Sequence, residues 1–323
     1  MDAHVHLTGN GSSGSGCWLR LRGAHRWLAG FMLRQIDLPA SALQGDLDRL
    51  YVERLVSWVR TSSVRKAVLL AHEEVYHEDG RLMEGFGSFH VPNAYVLSVA
   101  REHPEFLPAV SIHPARPDAL AELERCVEQG AVMMKCLPNC HNIDCNLPKY
   151  RLFWERMAAL GLPLLAHTGG EHTVPVVRAE LADPRVVTLP LECGVTVIAA
   201  HCASRSGLTD PDYFDAFTEM LRRYPRLYGD TSAFNLPARG AHIRDCLKPG
   251  VRERLIHGSD FPVPILGLWA FLRGLISLRD YWRCSRIRNS IEKDYQLKKA
   301  MGFEPAHFTR VADLLPPKPI PSA

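Results

Sequence analysis

Short apolar runs alternate with helical patterns along the whole chain. The runs lie around His4 and His6 and over residues 67–71, 106–112, 131–136, 163–167, 195–201, 226–230 and 255–260. Between them, Leu47, Leu50, Tyr51, Leu55 and Trp58 share one face of a helix predicted over 46–60. Tyr213, Phe217, Met220, Leu221 and Tyr224 do the same over 212–224. Helices are also predicted over 152–160 and 117–129, where Pro117 suits a first turn. Strand and helix in alternation predict a parallel sheet. Roughly eight strands match the count of a (β/α)8 TIM barrel. The expected fold is therefore α/β, a distorted barrel forming one catalytic domain over 1–323. An open doubly wound sheet is the alternative, but no Gly-x-Gly-x-x-Gly stands between a strand and a helix to bind a dinucleotide. The long connections, 8–45, 72–92, 137–149, 231–250 and 261–280, all follow strands. In a barrel they fall on the face where active sites are built.

Composition narrows the class. A hydrophobic fraction of 46% and a charged fraction of 23% suit a soluble globular enzyme. A net charge of +3 makes no case for a nucleic-acid or membrane partner. No segment has the apolar length of a membrane span, and the N-terminus does not read as a signal peptide. Nine cysteines, an odd number in a chain this long, fit a reducing cytoplasm better than a disulfide framework. Cys136, Cys140 and Cys145 cluster, but their spacing matches no standard zinc finger or knuckle. The Gly-Ser run over 9–16 reads as a flexible loop of the fold.

The strand ends carry the chemistry. His4 and His6 are two apart, so on a strand they point the same way and can converge on one ion. The fourth strand ends in Met133-Met134-Lys135-Cys136, the fifth in Ala166-His167, the sixth in Ala200-His201 and the eighth in His257-Gly258-Ser259-Asp260. A barrel gathers these side chains at one mouth. Histidine and carboxylate donors there suit zinc first, with manganese or iron as alternatives.

On these residues the chain resembles the amidohydrolase superfamily of metal-dependent barrel enzymes. The carriers are Asp2-Ala3-His4-Val5-His6-Leu7, Lys135, His167-Thr168-Gly169, His201-Cys202 and Gly258-Ser259-Asp260-Phe261-Pro262. The last segment looks most like the branch containing lactone hydrolases and decarboxylases. Lys135-Cys136-Leu137-Pro138 is similar to the lysine strand of dihydroorotase-type enzymes. The resemblance implies that His4, His6, His167 and Asp260 are metal ligands. It makes His201 a second-metal ligand or a catalytic residue, and Lys135 a candidate carbamylated bridge between two ions. A lysine pairing with Asp260, or binding substrate directly, is the alternative. Strand one in the family has more residues before its histidine pair than Met1-Asp2-Ala3. The expectation is a natural start a few residues upstream, and weaker metal retention without it.

The leading functional expectation is a metal-dependent hydrolase. A metal-activated hydroxide attacks an amide, lactone or ester carbonyl of a small molecule, with Asp260 as general base. A non-oxidative decarboxylase with one metal and His201 as acid/base is the runner-up, and a non-catalytic binding barrel the third reading. Glu73, Asn139, Glu171 and His172, on the loops, are candidate substrate contacts. Tyr76 and Asn142 belong with them, while Glu171 also suits the start of a following helix. His113 reads as a packed residue and Asp230 as an orienter of a ligand histidine. Trp18, Arg20 and Arg26 are candidates to cap the site. The apolar segment 262–278 is a candidate subunit contact in a homo-oligomer.

Overall fold

Strands buried on both faces need no polar alternation, and the apolar runs fold accordingly. The computed structural model describes residues 1–21 and 23–316. One sheet holds β1 (Asp2–His6), β2 (Ala67–Leu70), β3 (Phe106–Val110), β4 (Met133–Cys136), β5 (Leu164–Ala166), β6 (Val197–Ala199), β7 (Leu227–Asp230) and β8 (Leu255–Ile256), all parallel and in chain order. The sheet curls until its ends meet. Ala3 N–H donates to the His257 carbonyl, His6 N–H to that of Phe261 and Asp260 N–H to that of His4, each at 2.9 Å. This is the (β/α)8 barrel architecture, with β8 reduced to two residues.

Eight helices are long enough to pack on the sheet or its loops: α1 (Gly23–Gln35), α2 (Leu47–Arg60), α3 (Asn93–Glu102), α4 (Ala119–Glu128), α5 (Arg151–Ala159), α6 (Phe214–Arg223), α7 (Leu278–Ser285) and α8 (Ser290–Ala300). The inner layer of the barrel contains Ala3, Val68, Ala109, Met133, Leu165 and Ile198. The opposite strand faces pack against helices, as Leu164 and Val197 do with Trp154 and Phe217. Ala3 belongs to the inner layer while Val5 and Leu7 belong to the outer one, and the β1–β2 ladder shifts register between Asp2 and Val5. This irregularity puts His4 and His6 together on the inner side, as bulges beside functional sites often do.

Two strands end earlier than their apolar runs predict. After β6 the chain turns left-handed at His201, Cys202 and Ala203, with φ of 58°, 49° and 55°. After β8 the chain leaves the ladder because its groups find other partners. His257 N–H goes to the His307 carbonyl, and Ser259 N–H to the Asp2 carboxylate. The loop over 9–16 is also more ordered than expected. The buried Asp48 carboxylate accepts from the backbone N–H of Asn10, Gly11 and Ser13 and from the hydroxyls of Ser13 and Ser15. The 8–45 connection is not structureless either. It contains α1, and its Trp18–Leu19 segment pairs antiparallel with Phe89–His90. The nine cysteines are free thiols. Among the described residues no helix is long and apolar enough to cross a membrane.

Candidate metal centre and cavity

The closure of β1 against the end of β8 brings His4, His6 and Asp260 together. His4 Nε2, His6 Nε2 and Asp260 Oδ1 form a triangle with every side 3.2 Å. Gly258 is required at the crossing, because a Cβ there would stand 2.8 Å from the His4 Cβ. Asp260 itself has a φ of 65°, which turns its carboxylate back toward the histidines. Burial alone pushes the Asp260 carboxyl up, but His4, His201 and His6 outweigh it and hold it well below the usual carboxylate range.

Asp230, at the end of β7, sets the tautomer of His4. Its Oδ2 lies 2.7 Å from His4 Nδ1, so Nδ1 carries the proton and Nε2 offers a lone pair to the triangle. Its Oδ1 accepts the backbone N–H of His201 at 2.8 Å and that of Ser232 at 3.1 Å. The triangle suits a divalent cation. Zinc binds nitrogen and oxygen at about 2.0–2.1 Å, which in a tetrahedral set places neighbouring donors about 3.3 Å apart. Among the described residues this is the one group of three such donors close enough to share an ion, with His4 and Asp260 buried and His6 half-buried.

The other expected ligands stand around this group. Lys135 Nζ lies 3.2 Å from His4 Nε2, so the lysine meets an imidazole. Burial lowers the basicity of its ammonium. His201 lines the cavity above the triangle, and its Nδ1 is 3.1 Å from the Ser232 carbonyl and 2.8 Å from the Ser232 hydroxyl. A carbonyl only accepts, so Nδ1 is protonated and Nε2 is a lone pair. Burial pulls His201 well below the usual histidine range, and the neutral ring therefore presents a base. It has no proton on Nε2 with which to polarise a carbonyl. His167 lines the cavity as well, its ring centroid 5.0 Å from that of His201, but its Nε2 is 3.3 Å from the Gly170 carbonyl and 3.5 Å from Glu171 Oε2 rather than in the triangle. Burial pulls His167 down to about 3.

Three of the four loop candidates do not face the cavity. Glu73 is buried in an ion pair with Arg116 at 2.8 Å. The Asn139 backbone carbonyl accepts from Val177 and Arg178, and its side chain is buried. His172 pairs at the surface with Asp210 at 2.9 Å. All three are polar residues whose needs neighbouring loops already meet. Glu171 does line the cavity, but it caps no helix: its Oε1 takes the N–H groups of Thr173 and Val174.

The cavity has a volume of about 200 Å³. Sequence reasoning missed several of its residues. Arg239 is buried, donates to the Ser204 and Gly170 carbonyls at 2.6 Å each, and lines the cavity beside His201. His72 lines it too, stacked on Phe89 with ring centroids 3.8 Å apart and with its Nε2 3.3 Å from that of His141. No spacing in the sequence announces either residue. α1 carried a readable signal, since Leu28 and Met32 are four apart and both reach the cavity.

Known proteins give a consistent frame. A family model described as "Amidohydrolase" matches residues 2–301. No curated protein matches the chain. Among solved structures, an uncharacterised TIM-barrel protein from Bordetella bronchiseptica is 16% identical with a TM-score of 0.56, covering 93% of this chain and 98% of its own. A protein of Pseudomonas putida, provisionally named a 2-pyrone-4,6-dicarboxylic acid hydrolase, is 15% identical with a TM-score of 0.57 over 97% of this chain and 96% of its own. A 5-carboxyvanillate decarboxylase from Sphingomonas paucimobilis is 14% identical with a TM-score of 0.51 over 94% of this chain and 98% of its own. Identities this low establish the shared barrel, while the family match extends from the first histidine pair past the aspartate of the last strand. The chain belongs to the amidohydrolase family.

Proposed function

We propose that the protein is a metal-dependent hydrolase acting on the carbonyl of a small amide, lactone or ester. The carrying observation is the 3.2 Å triangle of His4, His6 and Asp260, with His4 oriented by Asp230, at the foot of a cavity. These three residues would hold one divalent ion, zinc in the first instance and manganese or iron otherwise. When bound, such an ion supplies Lewis acidity and brings the pKa of a coordinated water toward about 7.

The remaining chemistry belongs to the side chains. Asp260 accepts a proton from the attacking water as its oxygen bonds to the carbonyl carbon. The same carboxyl returns that proton to the leaving oxygen or nitrogen as the C–O or C–N bond breaks. His201 Nε2 serves as a further acceptor. Arg239 holds the loops after β5 and β6 together over the site. Lys135 has the depressed basicity that carbamylation requires. One ion per chain corresponds to the free amine and two to a carbamate bridge.

A single ion on this three-donor group, with Lys135 as a free amine, would also fit a decarboxylase on this barrel, so the test must separate the two. Zinc-, manganese- and iron-loaded protein should be screened on lactones, cyclic amides, esters and aromatic carboxylates, with products identified by mass. We expect ring-opened or cleaved hydrolysis products, and a loss of about 10²–10⁴-fold in rate for Asp260→Asn. Folded protein with no affinity for these ions, or release of carbon dioxide as the main reaction, overturns the proposal.

A further inference from the structure

We propose that the cavity above the triangle accepts an uncharged, apolar substituent, so that the substrates are alkyl- or aryl-bearing lactones and esters rather than polyanions. The inference rests on the hydrolase reading above and narrows its substrate class.

The cavity is divided by chemistry. Its polar groups, among them His6, His201, Asp260 and Arg239, come from the strand ends and the loops directly after them. The facing wall is aliphatic and is built largely by the connection after β1. Leu28 and Met32 of α1 contribute to it, with Leu43 from the next turn and Leu47 from the start of α2. Val174 and Leu236 extend it from the loops after β5 and β7. α1 is amphipathic in an unusual sense, because Trp27 is 66% exposed on its outside while Leu28 and Met32 are half-buried against the cavity. A helix that holds aliphatic side chains against the mouth of a polar site gives an apolar group of the substrate somewhere to leave water.

The charges point the same way. Among the described lining residues the cavity has one arginine and no lysine. That arginine, Arg239, already donates to two carbonyls, and the carboxylates of Glu171 and Asp260 contribute to its electrostatic surroundings. A substrate with a carboxylate away from the reacting carbonyl would meet this one engaged arginine, five histidines (His6, His25, His72, His167 and His201), two carboxylates and an aliphatic wall, where an unpaired charge is costly.

The test is a chain-length series read by binding as well as turnover. The zinc-loaded protein is titrated with aceto-, butyro-, hexano- and octanohydroxamic acid, whose head groups chelate zinc. Hydrolysis is followed in parallel for γ-valerolactone, γ-decalactone and a dicarboxylated pyrone. A methylene moved from water into an apolar site strengthens binding up to about fourfold. We therefore expect the hydroxamate Kd to fall at least about fiftyfold from two carbons to eight, and kcat/KM to favour the decalactone. Met32→Lys should weaken octanohydroxamate at least about tenfold more than acetohydroxamate, with Leu28→Gln as the second variant should the first not fold. A Kd that is flat across the series, or tighter binding of the dicarboxylated pyrone, overturns the inference. A steep series without turnover of any lactone or ester supports the apolar acceptor and counts against the hydrolase reading instead.

Discussion

His4 owes its ligand face to a residue 226 positions away. Without the Asp230 carboxylate, neither nitrogen of His4 is committed to the proton, and rings protonated on Nε2 present the wrong face to an ion. Asp230→Asn should therefore lower zinc affinity about 10–100-fold while the fold persists, as measured by competition against a chromogenic chelator. Unchanged affinity would show that packing alone orients the ring. The sequence made the donors legible because His, Lys and Asp at strand ends carry obvious chemistry. It did not reveal which of them converge. His167 reads as well as His4 on paper, yet its Nε2 faces the Gly170 carbonyl and Glu171, and that direction depends on a loop without periodicity. Glu73 shows the reverse error: a carboxylate after a strand looks functional until Arg116 is found beside it.

Elements were legible in proportion to their regularity. The strands and the helices α2, α4, α5 and α6 follow directly from apolar spacing, with ends shifted by one or two residues except in β8, which is four residues shorter than its run. The end of β6 was not legible because left-handed backbone at His201 leaves no mark on hydropathy, nor was that of β8, where the His257 and Ser259 N–H groups leave the ladder for His307 and Asp2. The 9–16 loop illustrates how a distant side chain orders a segment whose composition suggests freedom. Burial would raise the Asp48 carboxyl, but the hydroxyl of Ser15, the hydroxyl and N–H of Ser13 and the N–H of Asn10 outweigh it and lower it. A folded value below the unfolded one, about 3.9, means that the contribution is complete above that pH and is lost as pH falls through the folded value. We expect Asp48→Asn to cost about 2 kcal/mol or more at pH 7, given the number of charge-assisted bonds weakened. Denaturant melts of the two proteins should converge as the pH drops through the lowered folded value. A gap that persists or grows in acid would contradict this account.

At the scale of the whole molecule, the candidate metal centre lies on the seam that closes the barrel. Asp2, at the start of β1, accepts the N–H of Ser259. Lys298 of α8 donates to the Gly258 carbonyl and to the Asp294 carboxylate at 2.6 Å each. An ion shared by both sides of this seam should act as a clasp. At a free concentration of about 100 Kd it adds roughly 2.7 kcal/mol to folding stability. For a chain of this size, chelation should then lower Tm by roughly 4 °C. The loss of hydrogen-exchange protection should concentrate in β1 and residues 255–261. Equal Tm with and without chelator would show that the folded chain holds no ion at that concentration.

That seam also ties the site to the order in which the chain is made. His4 and His6 leave the ribosome well before Asp260, which follows 256 positions after His4. At about 5–20 residues per second the histidines emerge roughly 13–50 s before their carboxylate partner. A nascent chain stalled before β8 has the histidine pair but neither Asp260 nor the strand that aligns it. Ion capture at this site thus waits for the last strand, and a tightly bound ion marks a chain whose first and last barrel strands have met.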